Sequence, residues 1–304
     1  MFTINTFVQL VVDGLATGSI YAALALAIVI VNQTTNLVNF AQGGMAVLAA
    51  YVGMTVTNAL IPAIGPTAAI VAGVLFAVVA SFVLGAVLER FVMRRFMGGD
   101  PDAAVVATIG LLTLITGLCG LIWTYNYIPY PFFFSAGASF TVAGIAISVW
   151  SLTTFITILA MMILLQLLFR VSKLGLGLRA VSINPSSAAL SGIRVGGILM
   201  IGWGLAAALG AIAGVLVAAK VQLVPSMFDA ALLYALAAVI IGGLDSPIGA
   251  VVAAWGIAVV ENLAAAYVPF VGHDLKIAVP FVLLFAVLIF KPEGLFGRKV
   301  VVRV

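Results

Sequence analysis

Charge is what this chain has least of. Only 7% of its 304 residues are Asp, Glu, Lys or Arg, against about 25% in ordinary soluble domains. Hydrophobic residues make up 65%, and the mean hydropathy is +1.34. A soluble globule of this length needs a charged surface that these residues cannot supply. A soluble enzyme, a nucleic-acid-binding domain and a disordered protein are excluded, so no nucleic acid partner is expected. The single cysteine, Cys119, rules out a disulfide framework and a zinc site. It sits in an apolar run and reads as a small buried hydrophobe. The sequence has no GxxxxGK[ST] phosphate loop, so ATP is not expected to bind this chain by that route. Met1 to Leu10 carries no Lys or Arg, so the positive region of a cleavable signal peptide is missing.

What is present is long uncharged sequence. No charged residue occurs over the 75 positions from Gly14 to Leu88, nor over the 67 from Ala103 to Phe169. A membrane-spanning helix needs about 20 mostly apolar residues, so these runs hold three and two spans. A transmembrane β-barrel would show short alternating segments, whereas Ala22–Val31 and Val71–Leu88 are apolar on every side. The expected class is all-α, a polytopic membrane helix bundle of about eight or nine transmembrane helices, some broken or short. Segments are expected near 7–31, 37–57, 67–88, 103–125, 144–169, 198–219 and 275–290. Two short ones are expected within 229–268.

Eleven of the 13 Lys and Arg residues fall into three clusters. These are Arg90, Arg94 and Arg95; Arg170, Lys173, Arg179 and Arg194; and Lys291, Arg298, Lys299 and Arg303. By the positive-inside rule all three are cytoplasmic, and an even number of crossings separates any two. Three full spans before Arg90 leave the N-terminus outside. A re-entrant second segment leaves it inside.

Polar groups interrupt the apolar runs at a few places. Asn32 to Gly44 puts carboxamides, hydroxyls and a glycine pair between two apolar stretches. Amides facing lipid lose water without gaining a partner, and irregular backbone at membrane depth is tolerated only against protein or a wet cavity. One reading is a pathway-lining helix start with Asn36, Asn39 and Gln42 turned inward, Asn39 and Gln42 sharing a face at i and i+3. The other is a polar turn at the membrane surface with Asn or Thr as N-cap; the two are compatible. Asp245-Ser246-Pro247 reads as an N-cap with Pro in the first turn, in a simple cytoplasmic turn. Glu261 follows an apolar run and must face the bundle or an interface. Asn262 beside it can share a polar pocket, as a structural hydrogen bond or as a coupling or ligand group. His273 and Asp274 fit a surface loop. Tyr125 to Phe134 reads as an interfacial aromatic belt. Gly14/Gly18, Gly192/Gly196 and Gly210/Gly214 have the spacing that lets helices approach closely.

Between Phe169 and Val195 the chain spends more residues than a connection needs. Asn184 is a good N-cap, Pro185 suits the first helical position, Ala188 and Ala189 continue a short helix, and Gly192 fits its C′ stop. Together with Arg179 this reads as a lever gripped by a cytosolic partner, or as an amphipathic helix resting on lipid.

Five segments carry a resemblance that runs nearly end to end: Gly14–Ala27, Leu37–Gly53 with its Asn-Phe-Ala motif, Gly175–Val195 with its Arg-Ala loop, Ala237–Ala250, and Lys291–Gly297 with its Pro-x-Gly ending. In that order they resemble the LivH-type permease of branched-chain amino acid ABC importers. The resemblance implies one permease domain over residues 1–304, multi-pass in a bacterial plasma membrane, with no catalysis of its own. It implies a homologous LivM-type permease, two cytosolic ABC ATPases carrying ATP and Mg, and an extracytoplasmic solute-binding protein as partners, with membrane lipid around them. The loop of Arg179 and Asn184–Gly192 would be the element seated in the ATPase, and the path would run beside Asn39 and Glu261. The chain departs from the family pattern at Gln42 and Gly44, where many relatives carry His and an acidic residue. That opens the cargo to urea, amides or aromatic acids as well as branched-chain amino acids. The competing expectation is a secondary carrier coupled to protons through Glu261 or to sodium through the amides near Asn39.

Overall fold

In the computed structural model, which describes residues 4–96, 99–131, 133, 137–272 and 275–297, the uncharged runs become helices. Arg298, Lys299, Arg303, His273 and Asp274, and parts of the Tyr125–Phe134 segment, lie outside the described residues. The first three helices are α1 (Ile4–Thr35), α2 (Gln42–Ile64) and α3 (Pro66–Phe91), the last followed by a 3-10 turn at Met93–Arg95. Next come α4 (Pro101–Ile122), a hairpin of β1 (Ser139–Val142) and β2 (Ile145–Ser148), and α5 (Val149–Val171). Two short helices, α6 (Lys173–Ile183) and α7 (Pro185–Leu190), precede α8 (Val195–Val221). The chain closes with α9 (Asp229–Gly242), α10 (Pro247–Tyr267) and α11 (Ala278–Phe290).

Seven of the described helices are long and apolar enough to cross a membrane, while α9 and α11 are shorter apolar helices. This is the polytopic bundle with short members that the sequence implies. Several boundaries differ, the second segment running Gln42–Ile64 rather than 37–57. The span expected to begin near 144 starts at Val149, because 139–148 is rich in β-branched residues and turns at Ala143 and Gly144, both at positive φ. Of the two segments expected within 229–268, only the first is short. Ser246 caps α10 by accepting from the Gly249 N–H at 3.0 Å, and no breaker follows until Tyr267.

The core is built on α1, which is buried from Tyr21 to Val31 without interruption. A helix apolar on every side has no polar face to offer water, so neighbours enclose it. The packing is close because side chains are missing where helices meet. A Cβ on Gly14 would lie 2.7 Å from Val259 Cα of α10, and one on Gly214 only 2.2 Å from the Ala46 carbonyl of α2. Of the paired glycines, Gly192 does something else: at φ 82 it ends α7. Outer rows such as Leu75, Val79 and Val83 on α3, and Phe285 and Ile289 on α11, stay exposed.

The basic clusters define one end of the bundle, and α1 starts at the other. Gln9 exchanges two hydrogen bonds with Ala146 of the hairpin, at 3.1 and 2.9 Å, and that hairpin follows the outer end of α4. By the positive-inside rule, three crossings before Arg90 put the α1 start on the external side.

Candidate translocation site

Helix α1 ends at Thr35, Asn36 adopts φ 54, and the chain runs without regular structure to Gln42. This break is deep. The Gln42 Nε2 donates to the Ala206 carbonyl of α8 at 3.0 Å, and Ala206 lies about 16 Å along that helix from Val195 at 1.5 Å per residue. That is roughly the middle of a 30 Å hydrocarbon core. The Asn39 Nδ2 donates to Gln42 Oε1 at 3.3 Å, and Asn39 Oδ1 accepts from the Ala41 N–H at 3.0 Å. Both amides are fully buried. They meet across the helix start, since α2 begins only at Gln42, and so do not share one helical face. Their hydrogen bonds satisfy backbone and side chain where no water is at hand.

A second helix begins at the same depth. A Cβ on Gly43 would touch Phe228 at 3.5 Å and Leu232 at 3.6 Å, so the first turn of α9 lies beside the first turn of α2. Two helix starts thus share one mid-membrane layer, the arrangement that discontinuous helices give to transport sites.

Asn36 turns toward the basic end. Its Nδ2 donates to the Ser182 carbonyl at 3.1 Å, and it lines a cavity of about 810 Å³ with Thr35, Arg94, Ser182, Pro185 and Leu199. One wall of this cavity is therefore the end of α1, and the other is the connection between α5 and α8. Arg94 spans the gap beside it. Its Nε donates to Glu89 Oε1 at 3.0 Å, and its Nη2 to Glu89 Oε2 at 2.6 Å and to the Gly196 carbonyl at 2.8 Å.

Glu261 is buried on α10, about 21 Å above Pro247 along the helix, hence in the outer half. Its Oε1 lies 3.7 Å from Lys276 Nζ. Lys276 donates to Asn262 Oδ1 at 2.9 Å, and Asn262 Nδ2 to the Leu10 carbonyl at 3.4 Å. Tyr21 and Tyr234, stacked with centroids 4.6 Å apart, lie against the carboxylate. Glu261 and Asn262 do share a polar pocket, far from Asn36 and held by an ion pair from the segment before α11.

The connecting loop folds as its residues dictate. Asn184 Oδ1 accepts from the Ser187 N–H at 2.9 Å, with Pro185 at the first position of α7. The Gly192 N–H bonds to the Ala189 carbonyl and the Ile193 N–H to that of Ala188, closing the helix. The Arg179 side chain returns to the Gly175 carbonyl at 3.4 Å. Ala188 is buried against Val181 and Leu199, whereas Ala189 is exposed. Leu190 is 91% exposed and Ile183 84%, so two large apolar side chains stand out from the loop.

Glu89, Lys276 and those two apolar residues carry no motif. The signal available for Glu89 is its rarity: one of nine acidic residues, at the end of a long uncharged run, next to Arg90 and five positions before Arg94.

A family model described as branched-chain amino acid transport system / permease component matches residues 10–288. The chain is 27% identical over 305 residues to LivH of Salmonella typhimurium, a high-affinity branched-chain amino acid transport system permease protein, with 98% of each chain covered. It is 26% identical over 309 residues to the Escherichia coli LivH, again covering 98% of each. It is 27% identical over 286 residues to a probable LivH of Methanocaldococcus jannaschii, covering 90% of this chain and 87% of that one.

Proposed function

This chain belongs to the family of branched-chain amino acid transport system permease components, and from that premise we propose that it forms the path of an ATP-driven importer for branched-chain amino acids. It is a non-catalytic, membrane-embedded subunit. Residues 1–304 act as one permease domain in a bacterial plasma membrane, surrounded by lipid. Its partners are a homologous permease of the LivM type, two cytosolic ATPases that hold ATP and Mg, and an extracytoplasmic solute-binding protein. Family membership favours this reading over a carrier driven by an ion gradient.

The observation that carries the assembly is α7. It is a short helix, capped at both ends, on the basic side, and together with the end of α6 it presents Leu190 and Ile183, which no described part of this chain covers. Two large apolar side chains exposed on one loop suit burial against lipid or protein. The same loop walls the inner cavity with Ser182 and Pro185, so a push on α7 reaches the end of α1 through the Asn36–Ser182 bond. ATP-driven closure of the ATPases would open and shut the cavity by this route.

Leu190→Glu and Ala189→Glu test it. Both side chains point away from the loop's small core, so the chain should fold and reach the membrane. Co-purification of the ATPases and uptake of leucine should then be lost together. Full retention of the ATPases in both variants would show that α7 is covered by lipid instead.

A further inference from the structure

The face that joins α4 to the start of α9 carries polar groups at a depth where lipid cannot serve them. Thr113, Thr116, Ser226 and Asp229 border a pocket of about 290 Å³, with Tyr125 on one side. Thr113 and Thr116 lie about 18 and 22 Å along α4 from Pro101 at 1.5 Å per residue, past the middle of the bilayer. Asp229 sits in the first turn of α9, which begins beside Gly43 in the mid-membrane layer. The stretch from Gln222, at φ 69, to Phe228 descends to that layer outside any helix. Irregular backbone and an exposed carboxylate at this depth must border water or protein.

Three of the pocket's hydroxyls already have their protons directed at carbonyls. The Thr113 hydroxyl donates to the Ile109 carbonyl at 3.2 Å, and the Thr116 hydroxyl to the Leu112 carbonyl at 2.8 Å. The Tyr125 hydroxyl points to the Gly117 carbonyl at 3.4 Å. With these protons directed at carbonyls of α4, the three oxygens turn lone pairs to the pocket, the Asp229 carboxyl adds acceptors, and Ser226 brings a hydroxyl that can donate or accept. Gly117 keeps the wall low, since a Cβ there would meet nothing within 4 Å. A small pocket in which acceptors outnumber donors around one carboxylate suits a compact cation rich in N–H groups.

We propose that this pocket is a subsite for the protonated amine of an amino acid in transit, with Asp229 as its counter-charge and Thr113 and Thr116 as neutral acceptors. The assignment rests on the permease reading and adds to it the residues that touch cargo. Asp229 has a plainer role available, that of an acidic residue in the first turn of a helix. That role predicts a small loss of stability and no change in handling of substrate.

The test uses the whole transporter in proteoliposomes, with its second permease, ATPases and binding protein, and labelled leucine as the probe. Asp229→Asn should lower leucine uptake by about tenfold or more, the worth of a charge-assisted bond, while the complex assembles and hydrolyses ATP as before. Asp229→Glu should recover part of the loss. Thr113→Val with Thr116→Val, which swaps hydroxyls for methyls of like shape, should weaken uptake without touching assembly, and it decides the matter if Asp229→Asn fails to assemble. Uptake unchanged in these variants overturns the subsite alone. A parent transporter that assembles but imports neither leucine, isoleucine nor valine overturns the branched-chain reading, and the amine subsite with it.

Discussion

The pair of Glu89 and Arg94 is asymmetric, and the asymmetry predicts which substitution hurts. Glu89 is 0% exposed and Arg94 39%. Replacing Arg94 with Gln leaves a carboxylate sealed between α3 and α8 with its partner gone. Orphaning a buried charge costs about 3–5 kcal/mol, and the partial solvation of Arg94 argues for the low end, about 3 kcal/mol. Replacing Glu89 with Gln leaves an arginine that reaches water, keeps its bond to the Gly196 carbonyl and still finds an amide oxygen. That loss is about 1 kcal/mol, one weakened hydrogen bond. For a chain of this length each kcal/mol moves the unfolding midpoint by about 2 °C. Arg94→Gln should therefore fall by about 6 °C and Glu89→Gln by about 2 °C on the same scale. The double variant buries no charge and should lose less than Arg94→Gln alone, a coupling that a double-mutant cycle measures directly. Thermal unfolding of the detergent-purified chain, followed by tryptophan fluorescence, reads all three midpoints. Equal losses in the two single variants, or losses that simply add in the double, would refute the reasoning.

Two further outcomes follow from the same geometry. Gly214→Val sets a Cβ 2.2 Å from the Ala46 carbonyl, a backbone atom that cannot swing aside, while Gly256 on α10 has nothing within 4 Å. The first variant should fail to give a monodisperse peak in fluorescence-detected size-exclusion chromatography and Gly256→Val should elute as the parent does; similar profiles would contradict the packing of α2 on α8. Glu261→Gln keeps the shape of the polar pocket and removes one charge of the pair with Lys276. Leucine uptake by the assembled transporter should persist within about threefold, because the pair is read as structural and one replaced charge leaves a solvated lysine; complete loss of transport with normal assembly would give Glu261 a direct part in coupling.

How much of this was legible in the sequence depends on range. Local chemistry read directly: Asn184 and Ser246 cap their helices, Gly192 closes α7 at positive φ, and the apolar runs span. Each needs only a residue and its near neighbours. The hairpin at 139–148 escaped because four-residue strands beside an apolar run look like the start of a helix. Depth escaped more thoroughly. Nothing near Asp229 in the sequence says that α9 starts level with Gly43, because that follows from how α8, α2 and α4 stack. Ala188 illustrates the same limit. The motif makes Ala188 and Ala189 equivalent, and only the packing of Val181 and Leu199 turns the first inward and leaves the second out. In a charge-poor membrane chain each ionised group must find a partner or water across helices far apart in sequence, as Lys276 reaches Glu261 and Arg94 reaches Gly196. The rarity of such groups marks them as consequential, and the fold alone assigns their partners. An acid that pairs with no cation among the described residues, on an outward face at mid-membrane, is for that reason the position where cargo chemistry is best sought.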